Sequence, residues 1–204
     1  MIAIVDYGVG NLFSLKCSFA AVGENAVVTS DKTAIKNAGK IVLPGVGAFG
    51  DAARKLKAQN LDKLLKDEAA AGKPILGICL GMQLLFDKSF EYGEHEGLSL
   101  IPGAVRPIGD VIGDGLKIPH MGWNELRFCG QRHNLFKYLS DGDYVYFVHS
   151  YYADTPREYV LATAEYGAPL TAAAANDNVA GCQFHPEKSG KTGLKILKAF
   201  CETE

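Results

Sequence analysis

The chain has 204 residues, 48% hydrophobic and 22% charged, with a net charge of -2. That near-neutral balance gives no basic footprint for nucleic acid or an anionic membrane surface, and no stretch approaches the roughly 18 apolar residues of a membrane span. The length suits one compact domain, expected over 1–204, with core enough to need no disulfide or metal.

Taken in chain order, Ile2 to Val5 is an apolar run that ends at Asp6 and Gly8 and reads as a buried strand. Leu12, Leu15, Phe19 and Val22 recur at spacings of three and four, one face of a helix, with Asn11 at the N-cap position and Gly23 at C′. Ala26–Thr29 and Lys40–Leu43 read as the next strands. Residues 51–71 read as one or two helices closed by Gly72, Pro74–Ile78 as a fourth strand, and Met82–Phe86 as the start of another helix. Strands alternating with helices predict a parallel sheet covered on both faces. Residues 89–103, rich in Gly and Glu, read as a loop. Beyond it the strand candidates crowd together: Val105–Ile108, Glu125–Phe128, Tyr144–Ser150, Tyr159–Ala164 and Leu170–Ala174. They predict an antiparallel extension of the sheet. Asn178–Phe184 is a last strand, followed by a helix capped by Ser189 with Leu194, Leu197 and Cys201 on one face.

The five cysteines (Cys17, Cys79, Cys129, Cys182, Cys201) are odd in number and irregularly spaced, with no CxxC pair. This argues against a disulfide framework and against a structural zinc site. The N-terminal MIAIVDYG lacks the basic region and cleavage site of a signal peptide, so the cytoplasm is the expected compartment.

Gly77-Ile78-Cys79-Leu80-Gly81 lies between a buried strand and a helix start. It has the G-x-nucleophile-x-G spacing of a nucleophile elbow, with cysteine as nucleophile. The turn is tight, and side chains two residues to either side would clash, which calls for glycine. The following helix start sets N–H groups near the sulfur. The alternative is a buried cysteine acting as a small hydrophobe. His185-Pro186-Glu187 follows the last strand. A cysteine nucleophile needs a group that serves as base and then as acid, which suits His185, and a third group to orient it, which suits Glu187. An ordinary surface turn is the alternative for this tripeptide alone. Gly45 to Gly50 matches G-x-G-x-x-G, but the next strand ends at Cys79, with no acid to hold a ribose. Two readings remain for this loop: an oxyanion site from the N–H groups near Gly47 and of Leu80, or packing alone.

The elbow, the glycine loop and His-Pro-Glu, in that order, resemble the class I (triad) glutamine amidotransferases. The blocks Asp6–Leu12, Leu43–Phe49, Gly77–Gln83, Pro119–Asn124 and Gln183–Ser189 resemble, within that class, the glutaminase subunits of imidazole glycerol phosphate synthases. The resemblance implies a mixed, mostly parallel, flavodoxin-like sheet flanked by helices. It implies L-glutamine as substrate and Cys79, His185 and Glu187 as triad. Gly47 and Leu80 are implied at the oxyanion, and Gln83, His149, Ser150 and Tyr151 at the substrate. It implies no metal or organic cofactor. The implied partner is a (β/α)₈-barrel cyclase in histidine biosynthesis, met by Asn11 and Trp123. From the residues themselves, Gln83 also reads as a solvated helix residue, His149 as a strand histidine with a hydrogen-bond partner, and Trp123 as core. A triad amidotransferase serving another synthase and a stand-alone cysteine hydrolase are the competing functions.

Overall fold

The computed structural model describes residues 1–130 and 132–203; residues 131 and 204 of the expected domain lie outside it. Its elements begin with β1 (Ile2–Val5), α1 (Leu12–Ala21), β2 (Ala26–Thr29), α2 (Lys32–Asn37) and β3 (Lys40–Leu43). There follow α3 (Phe49–Ala58), α4 (Leu61–Ala70), β4 (Ile75–Ile78), α5 (Leu80–Gln83), β5 (Lys88–Ser89) and β6 (His95–Glu96). Next come β7 (Ala104–Pro107), β8 (His120–Glu125), β9 (Arg127–Phe128), β10 (Tyr144–His149) and β11 (Tyr151–Asp154). The chain closes with β12 (Val160–Glu165), β13 (Pro169–Asn176), β14 (Val179–Cys182) and α6 (Gly190–Cys201).

The main sheet has eight strands in the order β2-β1-β3-β4-β14-β13-β12-β9. The first five are parallel neighbours, and β13, β12 and β9 extend them antiparallel. Both faces are covered. Ile2 and Ile4 enter one core with Leu15 and Phe19 of α1 and Ile196 and Phe200 of α6. Ala3 and Val5 enter the other with Ile35 of α2, Leu56 of α3 and Leu65 of α4. This is why the strands read as unbroken apolar runs. Each fully buried Leu, Ile or Phe contributes about 1.5–3 kcal/mol.

Several expectations change. The extension holds for three strands, but the other candidates form smaller sheets: β11-β7-β5-β6, and the ribbon β10-β8. The 89–103 loop therefore carries β6 and adjoins β5. The Glu125–Phe128 candidate is the junction of β8 and β9, with Leu126 buried between them. Helix α2 has only Ile35 buried, too little periodicity to read, and starts where Asp31 accepts from the Thr33 N–H at 2.9 Å. Asn60, left-handed at φ 53, divides 49–70 into two helices. Helix α5 is a single turn at Leu80–Gln83, and Leu84, Leu85 and Phe86 beyond it are wholly buried. In α6 the buried face is Gly193, Ile196, Leu197 and Phe200, with Leu194 and Cys201 at its margin.

Candidate active site

Strands β4 and β14 are parallel neighbours, in register Gly77↔Gly181 and Ile78↔Cys182. Their C-terminal ends therefore emerge side by side, and the Cys79 N–H donates to the Cys182 carbonyl at 2.8 Å. Cys79 follows one strand directly and His185 follows the other by three residues, which brings sulfur and imidazole together across about 100 residues of sequence. Cys79 sits at φ 54 and ψ -113, a positive-φ conformation that a non-glycine residue adopts only when its surroundings impose it. The surroundings are tight. A Cβ on Gly81 would run into the Leu43 carbonyl, and one on Gly77 would lie 2.7 Å from the Gly81 oxygen and the Met82 Cα. The glycines are there for close approach, as the spacing predicts.

His185 is buried and its Nδ1 meets Glu187 Oε1 at 2.8 Å. Burial by itself would lower the imidazole pKa, but hydrogen bonds to Cys79 and then to Glu187 outweigh it and raise the pKa to about 9. The Glu187 side chain is buried too, and its Oε2 has no hydrogen-bond partner among the described residues. A buried carboxylate so sparsely paired depends on a charged neighbour, and a protonated His185 supplies it. Ser189 occupies the N-cap position of α6, yet its hydroxyl does not cap. It donates to the His185 carbonyl at 2.6 Å and accepts from the Tyr146 N–H at 3.0 Å, tying the segment to β10.

The sulfur opens on a cavity of about 590 Å³. Gly47, Leu80, Gln83, His149, Ser150 and Tyr151 all line it, together with Cys79 and His185. Gly47 has φ 94, and the Leu80 N–H makes no backbone hydrogen bond among the described residues. Gln83 is buried, not solvated, with its Nε2 on the Tyr151 carbonyl at 3.2 Å and on Gln183 Oε1 at 2.9 Å. His149 engages both ring nitrogens within the protein: Nδ1 with the Tyr151 carbonyl at 2.8 Å and Nε2 with His120 Nδ1 at 2.9 Å. Burial first, and the neighbouring histidines after it, bring His149 down to about 4 against the pull of the Tyr151 carbonyl; burial lowers His120 to about 4. His120 lies against Phe147 and Tyr166, with ring centroids at 4.8 and 4.2 Å.

Asn11 and Trp123 lie outside the cavity lining. Asn11 holds the N-cap position of α1 without a side-chain capping bond. Trp123 is 56% exposed and so is not core; Phe13, Met121 and Ile118 are exposed apolar side chains as well. Residues that the sequence did not single out also reach the site. Glu91 lines the cavity and accepts from the Phe49 N–H at 2.5 Å, at the start of α3. Nothing separates it in sequence from Glu94 and Glu96. Gln183 Nε2 lies 3.7 Å from the Cys79 sulfur. Tyr7 donates to the Pro44 carbonyl at 2.7 Å, under the glycine loop, and burial pushes its phenol pKa up. The G-x-G-x-x-G loop is no dinucleotide fingerprint: Gly50 is already inside α3 and packs on the His95 ring. Among the described residues no three His, Cys, Asp or Glu side chains converge as a metal site, and no helix is long and apolar enough to cross a membrane.

A cysteine on a strained strand-to-helix turn, beside a histidine that a carboxylate holds just beyond the neighbouring strand, defines an α/β protein with a Cys-His-Glu site. The chain belongs to the glutamine amidotransferase class-I family, whose profile matches residues 3–203. It is 52% identical over 202 residues to the imidazole glycerol phosphate synthase subunit HisH of Carboxydothermus hydrogenoformans, covering 99% of each chain. With the protein of the same name from Lactococcus lactis subsp. lactis it shares 49% over 202 residues, 98% of each. Among solved structures, a crystal structure of a glutamine amidotransferase superposes with a TM-score of 0.75 at 16% identity, covering 98% of this chain and 100% of that one. At that identity the match speaks for the fold alone.

Proposed function

We propose that the chain hydrolyses L-glutamine to glutamate and ammonia through a thioester on Cys79. The ammonia passes to a partner cyclase, a (β/α)₈ barrel, that makes imidazole glycerol phosphate and an aminoimidazole carboxamide ribotide in histidine biosynthesis. The observation that carries this reading is a strained Cys79 beside a buried His185 that Glu187 holds at 2.8 Å. In this reading the whole chain is one amidotransferase domain, at work in the cytoplasm.

The chemistry follows from the groups present. The Cys79 thiolate attacks the side-chain amide carbon, and the carbonyl electron pair moves onto oxygen. The N–H groups of Gly47 and Leu80 receive that oxyanion. As the intermediate collapses the C–N bond breaks, His185 gives its proton to nitrogen, and ammonia leaves. His185 then takes a proton from water, whose oxygen attacks the thioester. The C–S bond breaks, and glutamate leaves with the thiolate restored. Glu187 keeps the imidazole in one tautomer and stabilises its charged form. Gln83, Ser150 and Tyr151 face the amino-acid end of the substrate, and the Glu91 carboxylate suits its ammonium group. With both ring nitrogens engaged, His149 serves by holding the Tyr151 backbone. Free ammonia is protonated and lost in water, so hydrolysis is useful only beside an acceptor. The exposed Trp123, together with Asn11, suits docking of that acceptor.

The test is glutamine turnover by the chain alone, with the cyclase, and with the cyclase carrying its nucleotide ligand. Turnover should be slow alone and rise at each step; equal rates would remove the partner from the reading. An electrophilic glutamine analogue should label Cys79 and none of the other four thiols, and Cys79→Ala should abolish turnover with the fold intact. A label on Cys17 or Cys182 would remove the nucleophile assignment.

A further inference from the structure

One side chain outside the triad reaches the sulfur. Gln183 is fully buried two residues before His185, and its Nε2 donates to the Cys79 Sγ at 3.7 Å. An amide can be turned end for end, so its usefulness depends on what fixes the end that faces the sulfur. Here the fixing is one-directional. The Tyr151 backbone oxygen can only accept, so Gln83 must present its NH₂ there, at 3.2 Å. The second hydrogen of that NH₂ goes to Gln183 at 2.9 Å, so Gln183 must present oxygen. That leaves the Gln183 NH₂ for Cys79. The Tyr151 oxygen is itself held, because it accepts from His149 Nδ1 at 2.8 Å. His149 Nε2 then accepts from His120 Nδ1 at 2.9 Å, and His120 Nε2 from Asn124 Nδ2 at 3.2 Å. Asn124 is oriented in turn by donating to the Glu165 carbonyl at 2.8 Å. Two backbone oxygens, those of Tyr151 and Glu165, thus set the direction of every bond up to the sulfur.

We propose that Gln183 is a further catalytic residue: its side-chain N–H holds the Cys79 sulfur, with its orientation imposed by the Tyr151 carbonyl through Gln83. The inference rests on Cys79 being the nucleophile. A donor at sulfur strengthens when the sulfur is anionic, because the bond becomes charge-assisted. It therefore favours the thiolate that attacks the amide and the thiolate that leaves when the thioester is hydrolysed. It also gives Gln83 a second task, since the side chain that faces the substrate orients the one that faces the nucleophile.

The test measures alkylation of Cys79 by iodoacetamide at fixed pH in the full chain, without glutamine, beside kcat and KM for glutamine in the cyclase complex. Gln183→Met keeps the length and removes the donor. It should slow alkylation and lower kcat roughly tenfold, the effect of losing one charge-assisted hydrogen bond, with KM little changed. Gln183→Glu sets an acceptor against the sulfur and should slow both further. Gln83→Met should also slow alkylation, although Gln83 does not touch the sulfur and no substrate is present. Wild-type alkylation in a folded Gln183→Met chain would overturn the proposal, as would normal alkylation in Gln83→Met for the imposed orientation. Glutamine turnover by Cys79→Ala would instead sink the nucleophile reading beneath it. An inactive Cys79→Ala with unaffected Gln183 variants would sink only the role of Gln183.

Discussion

Two regions of the cavity wall bury imidazoles, and they treat them oppositely. Behind Cys79, His185 stands between a sulfur and a carboxylate whose second oxygen has no hydrogen-bond partner among the described residues. Elsewhere in the wall His149 meets His120, and the pair also meets a backbone carbonyl and an amide, with no carboxylate among its hydrogen-bond partners in the described residues. Burial penalises the charged form in both places. It loses at His185, raised to about 9, and wins at His149 and His120, lowered to about 4. What decides is the partner: at His185 the Cys79 sulfur and then the Glu187 carboxylate repay desolvation of a cation, and at His149 and His120 a second imidazole does not. The difference sorts the roles as well. In the proposed reaction a protonated His185 has a proton to give to departing ammonia, while the neutral pair has fixed tautomers and can orient a backbone segment without drifting in charge.

The harshest way to break the comparison is to neutralise the charged side. His185→Asn should lower kcat on the order of 10⁵-fold, and Glu187→Gln on the order of 10³ to 10⁴, because it leaves the acid–base group in place. The double variant should cost little more than His185→Asn alone, since the two act as a unit. Losses that multiply in steady-state turnover would show that they do not.

A milder test follows stability with pH. For His185 the folded pKa, about 9, lies above the ordinary imidazole value of 6.5. Its contribution is therefore complete below about pH 6.5 and lost as pH rises through 9. For His149 and His120 the folded value of about 4 lies below 6.5, so their contribution is present above 6.5 and lost as pH falls through 4. Denaturant midpoints across pH should show both limbs. Glu187→Gln should flatten the alkaline limb only, and His120→Asn the acid limb only. If either variant changed both limbs equally, the two regions would not be independent.

The smallest effect concerns the outer face of the neutral side. Strand β8 turns His120 inward and leaves Met121 and Trp123 60% and 56% exposed, as alternation along a strand requires. Trp123→Ala should weaken binding of the cyclase roughly tenfold or more and leave iodoacetamide labelling of Cys79 unchanged. An unaltered dissociation constant would return Trp123 to an ordinary surface role.

What the sequence determined by itself is local. The apolar runs at 2–5, 40–43 and 75–78 have one explanation, a sheet covered on both faces. The glycines of 77–81 announce a turn too tight for side chains, and His185-Pro186-Glu187 carries its own spacing, so a histidine–carboxylate pair two residues apart was legible without coordinates. Helix α2 and the division of the antiparallel strands among three sheets were not, because a short element with one buried residue, or a strand paired with a distant one, leaves little periodicity. Only the tertiary structure decided the rest of the site. Gln83 meets Gln183 across 100 positions and His120 meets His149 across 29, and no local pattern encodes which end of an amide or which nitrogen of an imidazole turns toward its partner. Glu91 differs from its neighbours Glu94 and Glu96 only in where the chain places it. Charge state belongs to the same level. Histidine in a sequence is one residue type with one ordinary pKa, and the fold makes it a cation beside Glu187 and a neutral ring beside His120 by choosing what is buried with it.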